Sequence, residues 1–288
     1  SDGASDPGGI QDERGVFGTA TLRPPPNGSL DSWPLESEWQ LKLPNLDWLD
    51  DFSDLLDDFQ GELNGGLSIA GSLSSPSLEG STELMVRRAL IPELGLALED
   101  STFEMTGVDG GLTLLGAMKS GVGDLALNAD VRLSDGVALD GTLQGRDFLV
   151  IDSPLARATV SPDLQLSYND NRLKIRGSVG VPLADIRLAK IPEGAVSASR
   201  DQRFVTEEEA PAPLDMDAEV TVLLGDDVRF EGLGLVASFG GKLTVSDRSA
   251  GVTTGRGEIV IKEGTYKAYG QDLRVENGKV LFVQDFIF

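Results

Sequence analysis

Residues 124–133 read DLALNADVRL, and leucine, alanine or valine falls at every second position from Leu125 to Leu133. The other positions, from Asp124 to Arg132, carry Asp, Ala, Asn, Asp and Arg. A period of two is typical of a strand with one buried and one wet face, because successive side chains point to opposite sides. The same period recurs over residues 62–73, 137–143, 173–181 and 218–224. The sequence therefore predicts an all-β protein.

Short clusters rich in Gly, Asn and Asp separate the alternating stretches, and these residue types tolerate the positive φ that tight turns need. Wet outer faces joined by short turns favour antiparallel sheets. The clearest predicted hairpin joins residues 273–275 to residues 280–282 through Glu276-Asn277-Gly278-Lys279. We expect turns at Ser134–Gly136, Asn169–Asn171, Gly225–Asp227, Lys262–Gly264 and Glu276–Gly278.

Glycine also falls at apolar positions inside the predicted strands, where it permits bends and close backbone approach. A sheet that curls needs such points, although local bulges explain them equally well. From alternation alone, an ordinary β-sandwich is the favoured interpretation, and a curved sheet lined with apolar residues is its rival. The glycines concerned are Gly65, Gly71, Gly141, Gly177 and Gly232.

Residues 44–61 have helical rather than strand spacing, with an apolar stripe opposite six aspartates. We expect a short amphipathic helix that plugs one end of the sheet core, or a mobile gate over an apolar groove. A membrane-surface helix is disfavoured because its polar face would normally be basic. The candidate plug or gate residues are Trp48, Leu49, Phe52, Leu56 and Phe59.

The chain thus divides into three predicted parts. Residues 1–43 hold an irregular segment and the first strands, residues 44–61 form the helix, and residues 62–288 form the main β-domain. Residues 1–12 and the acidic, Pro-containing stretch 206–217 are expected to be irregular.

Composition excludes several classes of function. The 288 residues carry a net charge of −23, which argues against nucleic-acid binding because phosphate contact needs a basic surface. The chain has no His and no Cys, so Cys/His zinc sites, Ser-His-Asp triads and disulfides are ruled out. Neighbouring carboxylates such as Asp226 and Asp227 are expected by chance among 47 acidic residues. We therefore expect no enzyme, no cofactor and no metal.

Three stretches carry a family resemblance. Residues 257–282 read GEIVIKEGTYKAYGQDLRVENGKVLF, residues 191–197 read IPEGAVS, and residues 61–71 read GELNGGLSIAG after the predicted helix. Together they are similar to the TamB C-terminal domain family, within the wider AsmA-like group of bacterial envelope proteins. The similarity covers residues 35–283.

The resemblance implies an elongated, curved, mostly antiparallel sheet called a β-taco, a half-pipe with an apolar concave face. It implies a periplasmic location, an inner-membrane anchor that precedes this fragment, and a TamA-type outer-membrane barrel as partner. Family members assist outer-membrane protein assembly, including autotransporters, and move phospholipid between the two membranes. Because the family continues beyond the last predicted hairpin, we expect the strands that meet the barrel to be missing from this chain.

Three hypotheses follow. The first is a conduit whose apolar face binds phospholipid acyl chains, and the second is a scaffold whose edges accept strands of barrel precursors. The third, an enzyme or a carbohydrate-binding β-sandwich, lacks the clustered aromatics it would need. Strand parity assigns thirteen residues to the apolar lining: Leu67, Ile69, Leu127, Val131, Leu139, Ile175, Val179, Val220, Val222, Ile259, Ile261, Leu273 and Val275.

Overall fold

The fold, taken from a computed structural model, is one curved, unclosed and mostly antiparallel sheet, which confirms the predicted class. The structure describes residues 15–22, 35–52, 55–72, 75–108, 110–133, 136–188, 215–248, 253–268, 271–275 and 278–283.

Sixteen strands and one 3₁₀-helix, Asp47–Phe52, are formed by the described residues. The strands are β1 (Gly15–Leu22), β2 (Leu35–Leu43), β3 (Asp57–Ser72), β4 (Ser75–Ile91), β5 (Leu96–Val108), β6 (Gly111–Ser120), β7 (Gly123–Arg132), β8 (Ala138–Arg146), β9 (Phe148–Asp152), β10 (Ala156–Asn169), β11 (Arg172–Arg187), β12 (Asp215–Gly232), β13 (Leu235–Arg248), β14 (Thr254–Ala268), β15 (Gln271–Val275) and β16 (Gly278–Phe282).

Strand order in the sheet follows the chain from β1 to β8 and from β10 to β15, while β9 pairs with β10 and β16 pairs with β14. Among the pairs described, β11 and β12 are parallel and the others antiparallel. A parallel pair needs a long connection, and residues 188–214 separate these two strands. The strands β1 and β2 belong to the same sheet as β3.

The predicted helix over residues 44–61 is wrong in extent, since the 3₁₀-helix spans Asp47–Phe52 and β3 already begins at Asp57. Aspartate disfavours helix interiors because its short side chain competes for main-chain hydrogen bonds. Side-chain oxygens of Asn45 and Asp50 accept main-chain hydrogen bonds here. The Asn45 Oδ1 atom accepts the Asp47 N–H at 2.7 Å, and the Asp50 carboxylate accepts the Phe59 N–H at 3.0 Å.

The predicted hairpin between residues 273–275 and 280–282 is also wrong. Both β15 and β16 run antiparallel to β14, and they keep one register, with Gly264 opposite Val275 and Ile261 opposite Gly278. They therefore lie along the same side of β14 and do not form a hairpin with each other. The chain reverses earlier, between Ala268 and Gln271, which face each other across the β14–β15 pair.

Of three predicted turns, one is confirmed and two lie inside strands. Asp170 and Asn171 connect β10 to β11 with φ of 49° and 60°, as a tight hairpin turn requires, so this turn is confirmed. The clusters Gly225–Asp227 and Lys262–Gly264 lie inside β12 and β14, where the pairing register shifts. Bulges and turns favour the same residue types, because both leave residues outside the ladder.

These bulges form a line across the sheet. Since a bulge bends its strand and increases local twist, aligned bulges bend the whole sheet along one line. From β9 to β14, consecutive strand pairs shift register at neighbouring positions. The shifts lie between Ala158 and Thr159, Thr159 and Ser161, Val181 and Leu183, Leu224 and Val228, and Ser238 and Phe239.

Lys262 ties two of the bulges together. Its Nζ atom lies 2.8 Å from an Asp226 carboxylate oxygen and donates to the Gly225 carbonyl oxygen at 3.1 Å, although β13 separates the two strands. The side chain reaches that far because it crosses Gly240, where a Cβ would lie only 2.5 Å from the Lys262 Cε atom. The hydrogen bond and charge of Lys262 lower the pKa of Asp226.

We predict that replacing Lys262 with Met raises the pKa of Asp226 back toward that of a free aspartate. The lowered pKa means that the pair stabilises the fold above the ordinary aspartate pKa, and that this contribution disappears as pH falls through the lowered value. Titration of the Asp226 side chain by NMR measures the shift. Gly240→Ala, which displaces the lysine, should raise this pKa too; an unchanged pKa in both variants would show that the contact does not form in solution.

Candidate functional site

One line of residues across the sheet contains no polar side chain. It passes from partner to partner through twelve strands, β2–β8 and β10–β14, and we name it the apolar row. Its members are Leu43, Leu63, Leu84, Phe103, Gly116, Leu127, Leu143, Leu164, Gly177, Val220, Val245 and Gly255.

The adjacent line, one residue away on each strand, is almost entirely polar. It contains Leu115 and eleven polar residues: Lys42, Asn64, Glu83, Glu104, Asn128, Thr142, Gln165, Arg176, Glu219, Ser246 and Thr254. Because adjacent residues point to opposite sides of a sheet, the two lines define an apolar face and a polar face.

The register places all thirteen predicted lining residues on the apolar face. Leu127 and Val220 belong to the apolar row itself. Nine others lie an even number of residues from a row member on the same strand, without an intervening register shift. These nine are Leu67, Ile69, Val131, Leu139, Ile175, Val179, Val222, Ile259 and Ile261.

The last two lining residues, Leu273 and Val275, lie beyond the β14 bulge. Val275 pairs with Gly264, and Gly264 pairs with Ala237, which is eight residues from Val245 of the apolar row. Leu273 is two residues from Val275 on the same strand. Both therefore share the apolar face.

Burial on the apolar face is partial. Twelve of the thirteen predicted lining residues are half-buried, and Leu273 is 50% exposed. In a sheet one layer thick, apolar side chains at this level of burial are covered by their neighbours but retain surface for another molecule. The face therefore offers a long apolar surface that the described residues cover only in part.

The polar face carries the charges. Arg132 pairs with Asp140 at 2.9 Å, and Arg176 with Asp217 at 2.8 Å, both between strands that lie next to each other. A depression of about 670 Å³ on this face is lined by polar side chains that include Asn128, Gln165 and Lys174. These features keep the polar face hydrated and distinguish it from the apolar face.

One end of the apolar face is covered by the chain itself. Residues 44–56, which we name the strap, connect β2 to β3, and the structure describes them except for residues 53 and 54. Leu46 of the strap is 4% exposed and forms a buried cluster with Phe59, Val86 and Ala89. The first four members of the apolar row pack against this cluster, together with Leu49 and Leu56 of the strap.

Main-chain contacts hold the strap in place. The Leu46 N–H donates to the Gly61 carbonyl oxygen at 3.0 Å, and the Asp50 carboxylate accepts the Phe59 N–H. Just beyond, Arg88 and Gln60 donate to the Asp58 carboxylate. The hydrogen bond from Gln60, then that from Arg88, lowers the pKa of Asp58.

The structure separates the predicted plug or gate residues. Leu49, Leu56 and Phe59 join the buried cluster, whereas Trp48 is 47% exposed on the strap. Phe52 ends the 3₁₀-helix, and its side chain lies outside the described residues. Sequence reasoning missed Leu46, although its position two residues after Pro44 marks the apolar start of the same segment.

Other features concern metals and membranes. The described residues hold no group of three or more carboxylates that could bind a metal ion. Within the same part of the chain, no helix has the length and hydrophobicity needed to cross a membrane.

Comparison with known proteins identifies a family. The chain is 23% identical over 238 residues to the translocation and assembly module subunit TamB of Haemophilus influenzae (strain ATCC 51907 / DSM 11121 / KW20 / Rd). This alignment covers 77% of the chain. The chain spans 18% of the length of that relative. The family model for the TamB C-terminal domain matches residues 113–287, which is more than half of the chain. The chain therefore belongs to the TamB C-terminal domain family.

Proposed function

We propose that this chain carries phospholipid acyl chains along its apolar face, as part of a periplasmic subunit of a translocation and assembly module. The apolar row is the observation that supports this most directly. It crosses twelve neighbouring strands without one polar side chain. With strands about 4.8 Å apart, that row is roughly 50 Å long.

The proposed interaction is physical rather than covalent. Acyl chains gain about 25 cal/mol for each Å² of apolar surface that leaves water, and this attraction is not directional. An apolar surface that continues from strand to strand lets a bound chain move along it without meeting a polar side chain. The curved sheet would place the acyl chain inside the half-pipe and leave the polar face in water.

The relative named above is a subunit of a translocation and assembly module. We extend that role to this chain, with a TamA-type outer-membrane barrel as partner and an inner-membrane anchor elsewhere in the parent protein. The two membranes would then be the source and the destination of the phospholipid. Support for outer-membrane protein assembly, including autotransporters, belongs to the same proposal.

A second candidate function uses the edges of the sheet instead of its face. The sheet does not close, so β1 forms one edge, and β15 with β16 forms the other. An exposed edge presents unpaired N–H and C=O groups that can accept an added strand. Both edges also carry exposed apolar residues, with Phe17 at 45% and Leu281 at 60%. A scaffold that binds strands of barrel precursors would use these edges.

We predict that a photo-crosslinking amino acid at Val131 or Ile175 attaches phospholipid several times more often than the same group at Arg132 or Lys174. Each pair consists of neighbouring residues that point to opposite faces. The protein is purified with phospholipid, irradiated and analysed by mass spectrometry. Equal labelling at both members of each pair would exclude lipid binding on the apolar face.

For the second candidate, we predict slower hydrogen exchange at the amides of β1 or β16 when a hairpin peptide from an outer-membrane barrel is added. Added main-chain hydrogen bonds protect edge amides, while the inner strands are already paired. The amides of β7 provide the internal control, since this strand has partners on both sides. Exchange that is unchanged at both edges counts against the scaffold function.

A further inference from the structure

We propose that the strap is a displaceable occupant of the apolar face, and that it takes the place of an acyl chain over strands β2–β5. This inference rests on the proposed function and specifies how that function is regulated. The first four members of the apolar row pack against the buried cluster that contains Leu46 of the strap, and the other eight lie beyond that cluster. The apolar row therefore has a covered section and an open section.

The composition of the strap fits an occupant rather than a part of the sheet. Its residues Leu46, Leu49 and Leu56 enter the apolar cluster, while Asp47 stays exposed to water. An amphipathic segment on an apolar surface makes contacts of the same nature as those of an acyl chain. A ligand that buries a similar area can therefore replace it.

The attachment of the strap is compatible with release. The hydrogen bonds that attach it to the sheet include that of the Leu46 N–H to Gly61 and those of the Asp50 carboxylate to the Phe59 amide. No described residue of the strap belongs to a strand, so the strap can leave without breaking the strand ladder. Its outer side carries the apolar residues Trp48, 47% exposed, and Leu55, 63% exposed.

Displacement would connect the covered section to the open one. With the strap in place, an acyl chain that moves along the row stops at the covered section. With the strap released, Leu43, Leu63, Leu84 and Phe103 become accessible and the apolar row is continuous to β2. The strap thus sets how far along the sheet a lipid can travel.

The absence of cysteine from the chain allows a test by single-cysteine labelling. Leu84→Cys places a thiol in the covered section, and Leu143→Cys places one in the open section. Each is combined with Leu49→Asn, which weakens the apolar contact of the strap, or with Leu55→Asn, the matched control on its exposed side. Circular dichroism verifies that every variant keeps its strands.

Without lipid, we expect Leu49→Asn to increase the maleimide reaction rate of the Leu84→Cys thiol about tenfold and to leave that of Leu143→Cys unchanged. Leu55→Asn should change neither rate. An equal rate for Leu84→Cys in both strap backgrounds would overturn the proposal, whatever the result with lipid, because the strap would not be a removable cover.

With a photoreactive fatty acid, we expect the unmodified chain to be labelled in the open section and only weakly in the covered section. Leu49→Asn should increase labelling of residues 63, 84 and 103 several-fold. If the open section is labelled but the covered section does not gain, the strap proposal is wrong and lipid binding stands. If neither section is labelled in either protein, the lipid-carrying function itself fails, and the strap proposal with it.

Discussion

The cross-strand register is the constraint on which the rest of this structure depends. A shift of one residue between two strands would bring a polar side chain onto the apolar face, because side chains alternate with a period of two. The pairing keeps Leu63, Leu127 and Val220 on one line although they lie far apart in the sequence. Alternation within each strand thus becomes a continuous surface only through the register between strands.

Bulges must also be compatible with the cross-strand register. They bend the sheet, yet a bulge with one extra residue reverses the side-chain parity of its strand. The apolar alternation of β11 and β14 therefore changes phase at the shift. The shifts from β9 to β14 occur at matching levels, which lets the sheet bend while apolar residues stay together on both sides of the line. Lys262 spans β13 to join two of these bulges, with Gly240 leaving room for its side chain.

Sequence reasoning predicted the strands, because a period of two is a local signal that each strand carries by itself. It did not predict whether a polar cluster would form a turn or a bulge. Gly225–Asp227 and Lys262–Gly264 have turn composition but form bulges, since the choice depends on the partner strand. The hairpin predicted at Glu276–Gly278 was wrong for the same reason. The predicted helix was too long because it was based on the helical spacing of apolar residues, whereas the six aspartates of the segment disfavour a helix.

Spin labels at consecutive positions of β7, from Leu125 to Val131, test most directly whether acyl chains bind the apolar face. Single cysteines can carry the labels because the chain has none of its own. In the presence of phospholipid, collisions with oxygen should be frequent and collisions with a water-soluble nickel chelate rare at positions 125, 127, 129 and 131, with the reverse at the positions between them. Collision rates that do not alternate, or that are unchanged by phospholipid, would contradict acyl-chain binding on this face.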